Sequence, residues 1–335
     1  MVQPQMAYFD QKNVLVLGGA GFIGSHLVEA LLEQGAVVNV LDDLSSGRRE
    51  NLNLEHPDLR FQRLDITGLG QETRSSALDL AVASTDFVVH LASPIGLRLA
   101  HTHGFDTTAR ILSGGMNVVS ACLRHRRPIL YTSSSEIYGA VAHKALDEAD
   151  TAGFGLEPRW GYGAAKMAVE HLVAGLYREY GIPATSARLF NVVGPRQNSQ
   201  SGLVLSAFAE AAMGDEELTV HGDGTDRRTF LHVRDCAAAL LAIAGCEDLL
   251  GKSVNVGGTE NISILELAAL VTHLSGKGRI THKSYREVYG ENFAAVADRR
   301  PKLDLLIEAT GWKPRRSLKD AVWDCLEDLR REKLT

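Results

Sequence analysis

Short apolar runs rich in β-branched residues alternate with longer segments of helical period through the first half of the chain. "NVLVL" leads into a helix-period segment from about Ile23 to Gln34; "AVVNVL" follows, and further on come "RFQRL", "DFVVHLA" and "PILYTSS". Such alternation predicts βαβ units around a parallel sheet, and so an α/β fold. After Gly181, "PATSARLF" and "KSVNVGG" predict two further strands. Between and beyond them the pattern is less regular. The turn-forming stretches "GPRQNSQSG" and "HGDGTDRR" interrupt it, and a helical tail is predicted from about Ser317 to Lys333.

The first strand and helix enclose "GGAGFIG", with Gly18, Gly21 and Gly24 in GxxGxxG spacing. Glycines in that strand-to-helix context permit a tight turn, let a pyrophosphate approach the backbone and allow the helix to pack closely, with its N-terminus toward the phosphates. A tight turn without a ligand is the plain alternative. The second strand ends in "VLDDL", which puts Asp42 about twenty residues beyond the glycines, where a carboxylate accepts from adenosine ribose hydroxyls. That charge repels a 2′-phosphate and favours NAD over NADP; Arg48 and Arg49, just beyond, weaken the preference unless they are ordinary loop charges. Asp65, ending the third strand, either touches adenine or caps the next helix. The fold class is therefore a Rossmann-type doubly wound parallel sheet with a smaller C-terminal α/β domain. Residues 12–188 and about 229–258 form the NAD-binding part; about 189–228 and 259–335 form the substrate-binding part, with the ligand cleft between them.

Composition narrows the function. The chain has 335 residues, 45% of them hydrophobic and 23% charged, which is long enough for a large core and excludes disorder. A formal net charge of −6 gives no general attraction to nucleic acid or anionic membrane. Cys122, Cys236, Cys246 and Cys325 are scattered, without metal-ligand spacing, which suits reduced thiols and a cytoplasmic location. No segment reads as a signal peptide or membrane span, and no metal site is indicated: His101 and His103 read as loop residues because nothing supplies further ligands.

In "WGYGAAKMAVEHL", Tyr162 and Lys166 are four apart on a predicted helix and share a face. An ammonium near a phenol favours phenolate, which brings the tyrosine toward working pH as a general base. Ahead of them "YTSSSEIYG" ends a strand with hydroxyls at the C-terminal sheet edge, where Ser134 can share a hydrogen bond with a substrate hydroxyl.

Glycine turn, strand-end serine and YxxxK, in this order, resemble an extended short-chain dehydrogenase/reductase of the NAD-dependent nucleotide-sugar epimerase/dehydratase/decarboxylase family. "GGAGFIGSHL", "VLDDLSSG", "HLASP", "SSSEIYG", "YGAAK", "RLFNVVGPRQ", "GDGTDRRTFLHVRD" and "SVNVGG" carry the resemblance from about Lys12 to the C-terminal helix. It implies NAD, a nucleoside-diphosphate sugar with UDP as the expected carrier, and a reaction opening with hydride removal at sugar C4. It extends the cofactor contacts to Phe22, Ile23, Ile66, Leu91 and Ala92, beside Tyr162 and Lys166 themselves, and places Asn191 and Arg228 on the diphosphate with Arg196 as a further candidate. An ordinary loop amide and surface arginines are the alternatives. The resemblance also implies a homodimer formed through the YxxxK helix and its neighbour. One departure stands out: Val193 replaces a tyrosine common in relatives.

The residues after Ser134 bear on the chemistry. Dehydratases of the family resemble "TDE" here; Ser135 replaces that acid and is a poor proton donor. UDP-glucuronate decarboxylases resemble "TSEVYG", which "SSEIYG" matches through Ser135 and Glu136. Their relatives also share "PRW" before the tyrosine and a late "HRKP", similar to "EPRWGYGAAK" and "VADRRPKLD" here, which puts Arg299 where the sugar carboxylate would bind. The resemblance thus implies a UDP-glucuronate decarboxylase, with a C4-epimerase of a UDP-hexose or UDP-uronic acid as the alternative. A 4,6-dehydratase and a non-catalytic NAD-binding scaffold rank below both. The plain alternatives are that Glu136 caps a helix or pairs with a structural arginine, and that Arg299 is a surface charge.

Overall fold

The computed structural model describes residues 8–68, 76–94, 103–139, 144–150, 153–198, 203–289 and 299–332. In chain order the first half contains β1 (Asn13–Leu17), α1 (Phe22–Glu33), β2 (Val37–Asp42), β3 (Leu59–Arg63), α2 (Ser76–Ala83), β4 (Phe87–His90), α3 (Gly104–His125), β5 (Ile129–Ser134), β6 (Lys144–Leu146), α4 (Pro158–Tyr180) and β7 (Ala184–Leu189). The second half adds β8 (Val192–Val193), α5 (Val204–Met213), β9 (Glu217–His221), β10 (Arg227–Thr229), β11 (Leu231–His232), α6 (Val233–Ala244), β12 (Ser253–Val256), β13 (Asn261–Ser263), α7 (Ile264–Ser275), β14 (Arg279–Lys283), α8 (Tyr285–Tyr289), β15 (Arg299–Pro301), α9 (Asp304–Thr310) and α10 (Leu318–Glu332).

The large sheet has the order β3-β2-β1-β4-β5-β7-β12, with every neighbouring pair parallel. Chain direction across the sheet reverses between β1 and β4, the crevice where open α/β sheets bind ligands. The uninterrupted apolar run of β1 follows from burial on both faces. Val14 and Val16 join a core with Leu27 and Leu31 of α1 and Leu240 of α6; Leu15 and Leu17 join another with Val118 of α3 and Val169 of α4. The doubly wound sheet predicted from the alternating pattern is therefore present.

Helix α3 is interrupted in sequence by Gly114 and Gly115, yet it continues through both. A Cβ on Gly115 would lie 2.5 Å from Val169 Cγ2, so the glycine lets α3 approach α4 closely. Pro158 opens α4, and Gly181 closes it in the left-handed conformation at φ 64°.

A smaller sheet has the order β13-β10-β15-β6. Its register sets Arg228 of β10 beside Arg299 of β15, and Arg299 beside Lys144 of β6. β6 comes from within residues 12–188 but pairs here, away from the large sheet. A third core of α5, α7 and α10 supports this end of the molecule through residues such as Phe208, Leu267 and Leu326. Among the described residues, no helix is long and apolar enough to cross a membrane.

Candidate active site

The ends of β1, β2, β4, β5 and β7 bring most of the sequence-predicted site residues to the C-terminal edge of the large sheet. Gly18 takes φ +82°, and a Cβ there would meet Ala92 N at 2.7 Å; one on Gly24 would meet Gly18 O at 2.1 Å. These glycines are required by the turn itself. Gly21 is different: its nearest obstacle would be Gly18 O at 3.3 Å. Its smallness leaves backbone accessible. Helix α1, opening with Phe22 and Ile23, has neither a side-chain cap nor an acidic residue in its first turn, so its N-terminal amides and dipole suit an anion.

Asp42 braces this turn. Its Oδ2 accepts from Ala20 N at 3.0 Å and its Oδ1 from Leu44 N at 2.8 Å. Burial raises its carboxyl above the ordinary range, with these amide bonds opposing the rise. A carboxylate has further lone pairs, so the bracing and ribose recognition are compatible. Arg48 is paired with Glu332 at 2.8 Å, and the Arg49 guanidinium sits 5.9 Å from the Phe61 ring centre. Both have partners away from Asp42, in keeping with an NAD site.

The Asp65 carboxylate accepts from Thr67 N at 2.8 Å and Thr67 Oγ1 at 2.7 Å, and lies 3.5 Å from Arg110. This local turn replaces the predicted helix cap, since residues 66–68 are not helical. The backbone of Ile66 and Thr67 is held by Asn117 Nδ2, at 2.9 and 3.0 Å from their carbonyls. Leu91 continues from β4 through its N–H to Leu17 O at 2.9 Å, which places Ala92 against Gly18.

Tyr162 and Lys166 share the inward face of α4. Ser134 and Ser93 hydrogen-bond the phenol, but burial dominates and, with the negative charge of Glu136, pushes its pKa up to about 12. The expected shift toward working pH is therefore reversed in the protein alone. The Lys166 ammonium explains part of this: it is 5.9 Å from the Tyr162 ring centre and donates to Thr132 O at 3.0 Å. Burial lowers its own pKa to about 7, against a raising influence from Glu170. Around neutral pH the lysine itself titrates.

Ser134 caps the short 3₁₀ turn of residues 135–138, its Oγ accepting from Glu136 N at 3.2 Å. Gly163 permits α4 to press on this turn, because a Cβ would fall 2.5 Å from Glu136 O. Glu136 and Arg299 are partners: Arg299 Nη1 donates to Glu136 Oε1 at 2.5 Å, and Nη2 to Gly139 O at 2.7 Å. Arg299 is 4% exposed, which removes the surface-charge reading. The buried Nε of Arg299 has no partner among the described residues. Ser135 is buried next to them.

Asn191 follows β7 with φ 33°, an exposed position, and donates through Nδ2 to Thr229 O at 2.9 Å. Arg228 lies on β10, half-buried, with Nη1 bonded to Arg227 O at 2.8 Å. Arg196 donates through Nη2 to Glu29 of α1 at 2.5 Å and through its backbone N–H to Asp328 of α10 at 2.6 Å, which ties its loop to both helices. Sequence reasoning does not pick out Ser93, although it lies in the quoted "HLASP", nor the structural work of Gly139 and Gly163. His101 and the first three residues of "VADRRPKLD" lie outside the described residues. Among the described residues, no cluster of His, Cys, Asp or Glu could hold a metal ion.

A glycine turn braced by an acid at the switch point, with a Tyr–Lys pair on α4 against β5, defines a dinucleotide-dependent oxidoreductase-type site. The model of the NAD dependent epimerase/dehydratase family matches residues 14–257, and the chain belongs to that family. It is an NAD-dependent enzyme. A UDP-N-acetyl-alpha-D-glucosaminuronate decarboxylase of Bacillus cytotoxicus is 30% identical over 325 residues, covering 95% of this chain and 97% of that protein. UDP-glucuronic acid decarboxylase 3 of Arabidopsis thaliana is also 30% identical, over 96% and 91% of the two chains. Among solved structures, the UDP-glucose 4-epimerase of Thermus thermophilus, in complex with NAD, has a TM-score of 0.81 at 28% identity, covering 95% of this chain and 99% of that one.

Proposed function

We propose that the protein is an NAD-dependent decarboxylase of a UDP-linked uronic acid, with UDP-glucuronate as the substrate to test first. The observation that carries this reading is the Glu136–Arg299 pair beside Ser135 and Tyr162, which brings a buried cation to the site where a sugar carboxylate has to be recognised. The two decarboxylase relatives support it. The large sheet serves as the NAD-binding lobe and the small sheet as the nucleotide-sugar lobe, with Asn191 and Arg228 on the diphosphate.

NAD, held on the Gly18–Gly24 turn, supplies the hydride acceptor and a positive charge. Tyr162 takes the proton of the sugar 4-hydroxyl, with Ser134 holding that hydroxyl and Lys166 favouring the phenolate. The resulting 4-keto uronate is a β-keto acid, and loss of carbon dioxide leaves electrons that the 4-oxygen can carry as an enolate. Orientation of the carboxylate is then the main requirement. Arg299 supplies it, sharing its charge between Glu136 and the substrate; Ser135 hydrogen-bonds the same group, and Glu136 positions a water that passes a solvent proton to C5. The bound cofactor would supply the hydride for C4, and Tyr162 would give its proton back to the 4-oxygen, so that the product would be UDP-xylose.

The test is incubation of the purified protein with NAD and UDP-glucuronate, or its 2-acetamido analogue, following gas release and nucleotide-sugar mass. Loss of one carbon dioxide per sugar is expected. An unchanged mass with a new isomer would replace this reading with C4-epimerisation, the activity named for the Thermus thermophilus structure.

The α3–α4 pair exposes Leu112 and Met116 one helical turn apart, at 41% and 50%. This apolar face supports a homodimer through that pair.

A further inference from the structure

A buried polar network lies behind Lys166, and the chemistry above does not use it. Glu170 follows Lys166 by one turn on α4 and is 5% exposed. Arg188 of β7 reaches its carboxylate through Nε, at 3.1 and 3.2 Å, and through Nη2 at 2.9 Å. Ser253 of β12 donates to the same carboxylate at 2.9 Å. The other arm of Arg188 leads elsewhere: Nη1 donates to the Tyr138 hydroxyl at 3.0 Å and to Glu148 O at 2.9 Å. Tyr138 donates onward to Asn255 Oδ1 at 2.7 Å.

Tyr138 ends the 3₁₀ turn that contains Ser135 and Glu136. One guanidinium therefore joins the helix bearing Tyr162 and Lys166 to the turn bearing the hydroxyls and carboxylate opposite them. Stability alone is a poor reason for such a group, because a buried ion pair often contributes no more than apolar residues of similar volume.

We propose that Glu170 and Arg188 are positioning residues for the reaction: Arg188 fixes the spacing between α4 and the 3₁₀ turn, and Glu170 keeps a carboxylate one turn behind Lys166. This rests on the proposed roles of Tyr162, Lys166 and Ser134, and not on the identity of the sugar. The groups facing Lys166 are Glu170 and Tyr162 of α4, His90 of β4 and Tyr131 of β5. Of the four, Glu170 is the fixed negative charge: burial keeps His90 neutral near pH 7 and keeps both phenols protonated. Without it Lys166 would lose its proton at lower pH, and Tyr162 would lose the cation that favours its phenolate.

The experiment uses the NAD-bound enzyme and two readouts. One is the ultraviolet absorbance of tyrosinate against pH, taken as the difference from the Tyr162→Phe variant; the other is the pH profile of kcat. In Glu170→Gln the Tyr162 titration should move up by about one pH unit and kcat near neutrality should fall about tenfold, with Glu170→Asp restoring most of both. In Tyr138→Phe, which leaves the ion pair intact, kcat per folded molecule should fall about tenfold with NAD affinity unchanged. Loss of Tm alone in Glu170→Gln, with titration and kcat per folded molecule unchanged, would overturn the proposal, as would unchanged kcat in Tyr138→Phe. If the wild type turns over no uronate, the substrate reading fails while the tyrosinate titration still decides this one.

Discussion

The two halves of the site are built in different ways. The cofactor turn is a backbone construction: Gly18, Gly21 and Gly24 matter for the side chains they lack, and Asp42 grips the amides of Ala20 and Leu44 from the next strand. The half proposed to be catalytic is a side-chain construction, in which Tyr162, Ser134, Glu136 and Arg299 come from α4, the end of β5 with the turn that follows it, and β15. A backbone site tolerates no added atom at its crowded points, whereas a side-chain site tolerates replacement but loses charge and direction. The first should fail by misfolding and the second by slow chemistry.

The comparison is broken most severely at Gly24. Gly24→Ala, with its Cβ 2.1 Å from Gly18 O, should cost more than about 4 kcal/mol in urea unfolding and abolish NAD binding. A variant that kept its stability and NAD affinity would show that the turn can open. Next comes Tyr162→Phe, expected to lower kcat about 10³-fold with NAD affinity and Tm within error. Such a result would sharpen the contrast, because the same volume is kept and only a proton carrier is lost.

Lys166→Met should move stability and activity in opposite directions. The folded lysine has its pKa lowered from its ordinary 10.5 to about 7, so burial of its charge costs stability below about pH 7, and the cost fades as pH rises toward 10.5. The variant should be inactive yet more stable at pH 7 by about 2–4 kcal/mol, allowing for the lost bond to Thr132 O, with the advantage shrinking on the alkaline side. Chemical unfolding across that pH range checks the sign. The smallest effect is expected for Arg299→Lys, which keeps the charge but loses the two-armed contact to Glu136 and Gly139: about a tenfold fall in kcat/KM, measured against the isosteric Glu136→Gln.

Legibility in sequence follows the same division. The β1–α1 turn, the acid ending β2 and the Tyr162–Lys166 spacing are local, so periodicity and glycine placement disclose them. Glu136 and Arg299 lie 163 positions apart, and no local pattern shows that each is the other's partner. Arg196 reads as a ligand candidate from a loop that resembles the family's, and its contacts with Glu29 and Asp328 become visible only in three dimensions. Helix α3 is hidden in the sequence because Gly114 and Gly115 resemble a break, although Gly115 serves contact with Val169. The pKa of Tyr162 takes the opposite direction from the one its spacing suggests, because spacing reports the nearby ammonium but not the depth of burial.

The small sheet has a bearing on how the enzyme comes into being. Its strands β6, β10, β13 and β15 are drawn from widely separated stretches, and β6 has no partner in it until β15 exists. Contacts between distant stretches close slowly, since the loops between them must be ordered first. The glycine turn is thus laid down by strands made early, whereas the small sheet that carries Arg228 and Arg299 is complete only once β15 has joined β10 and β6.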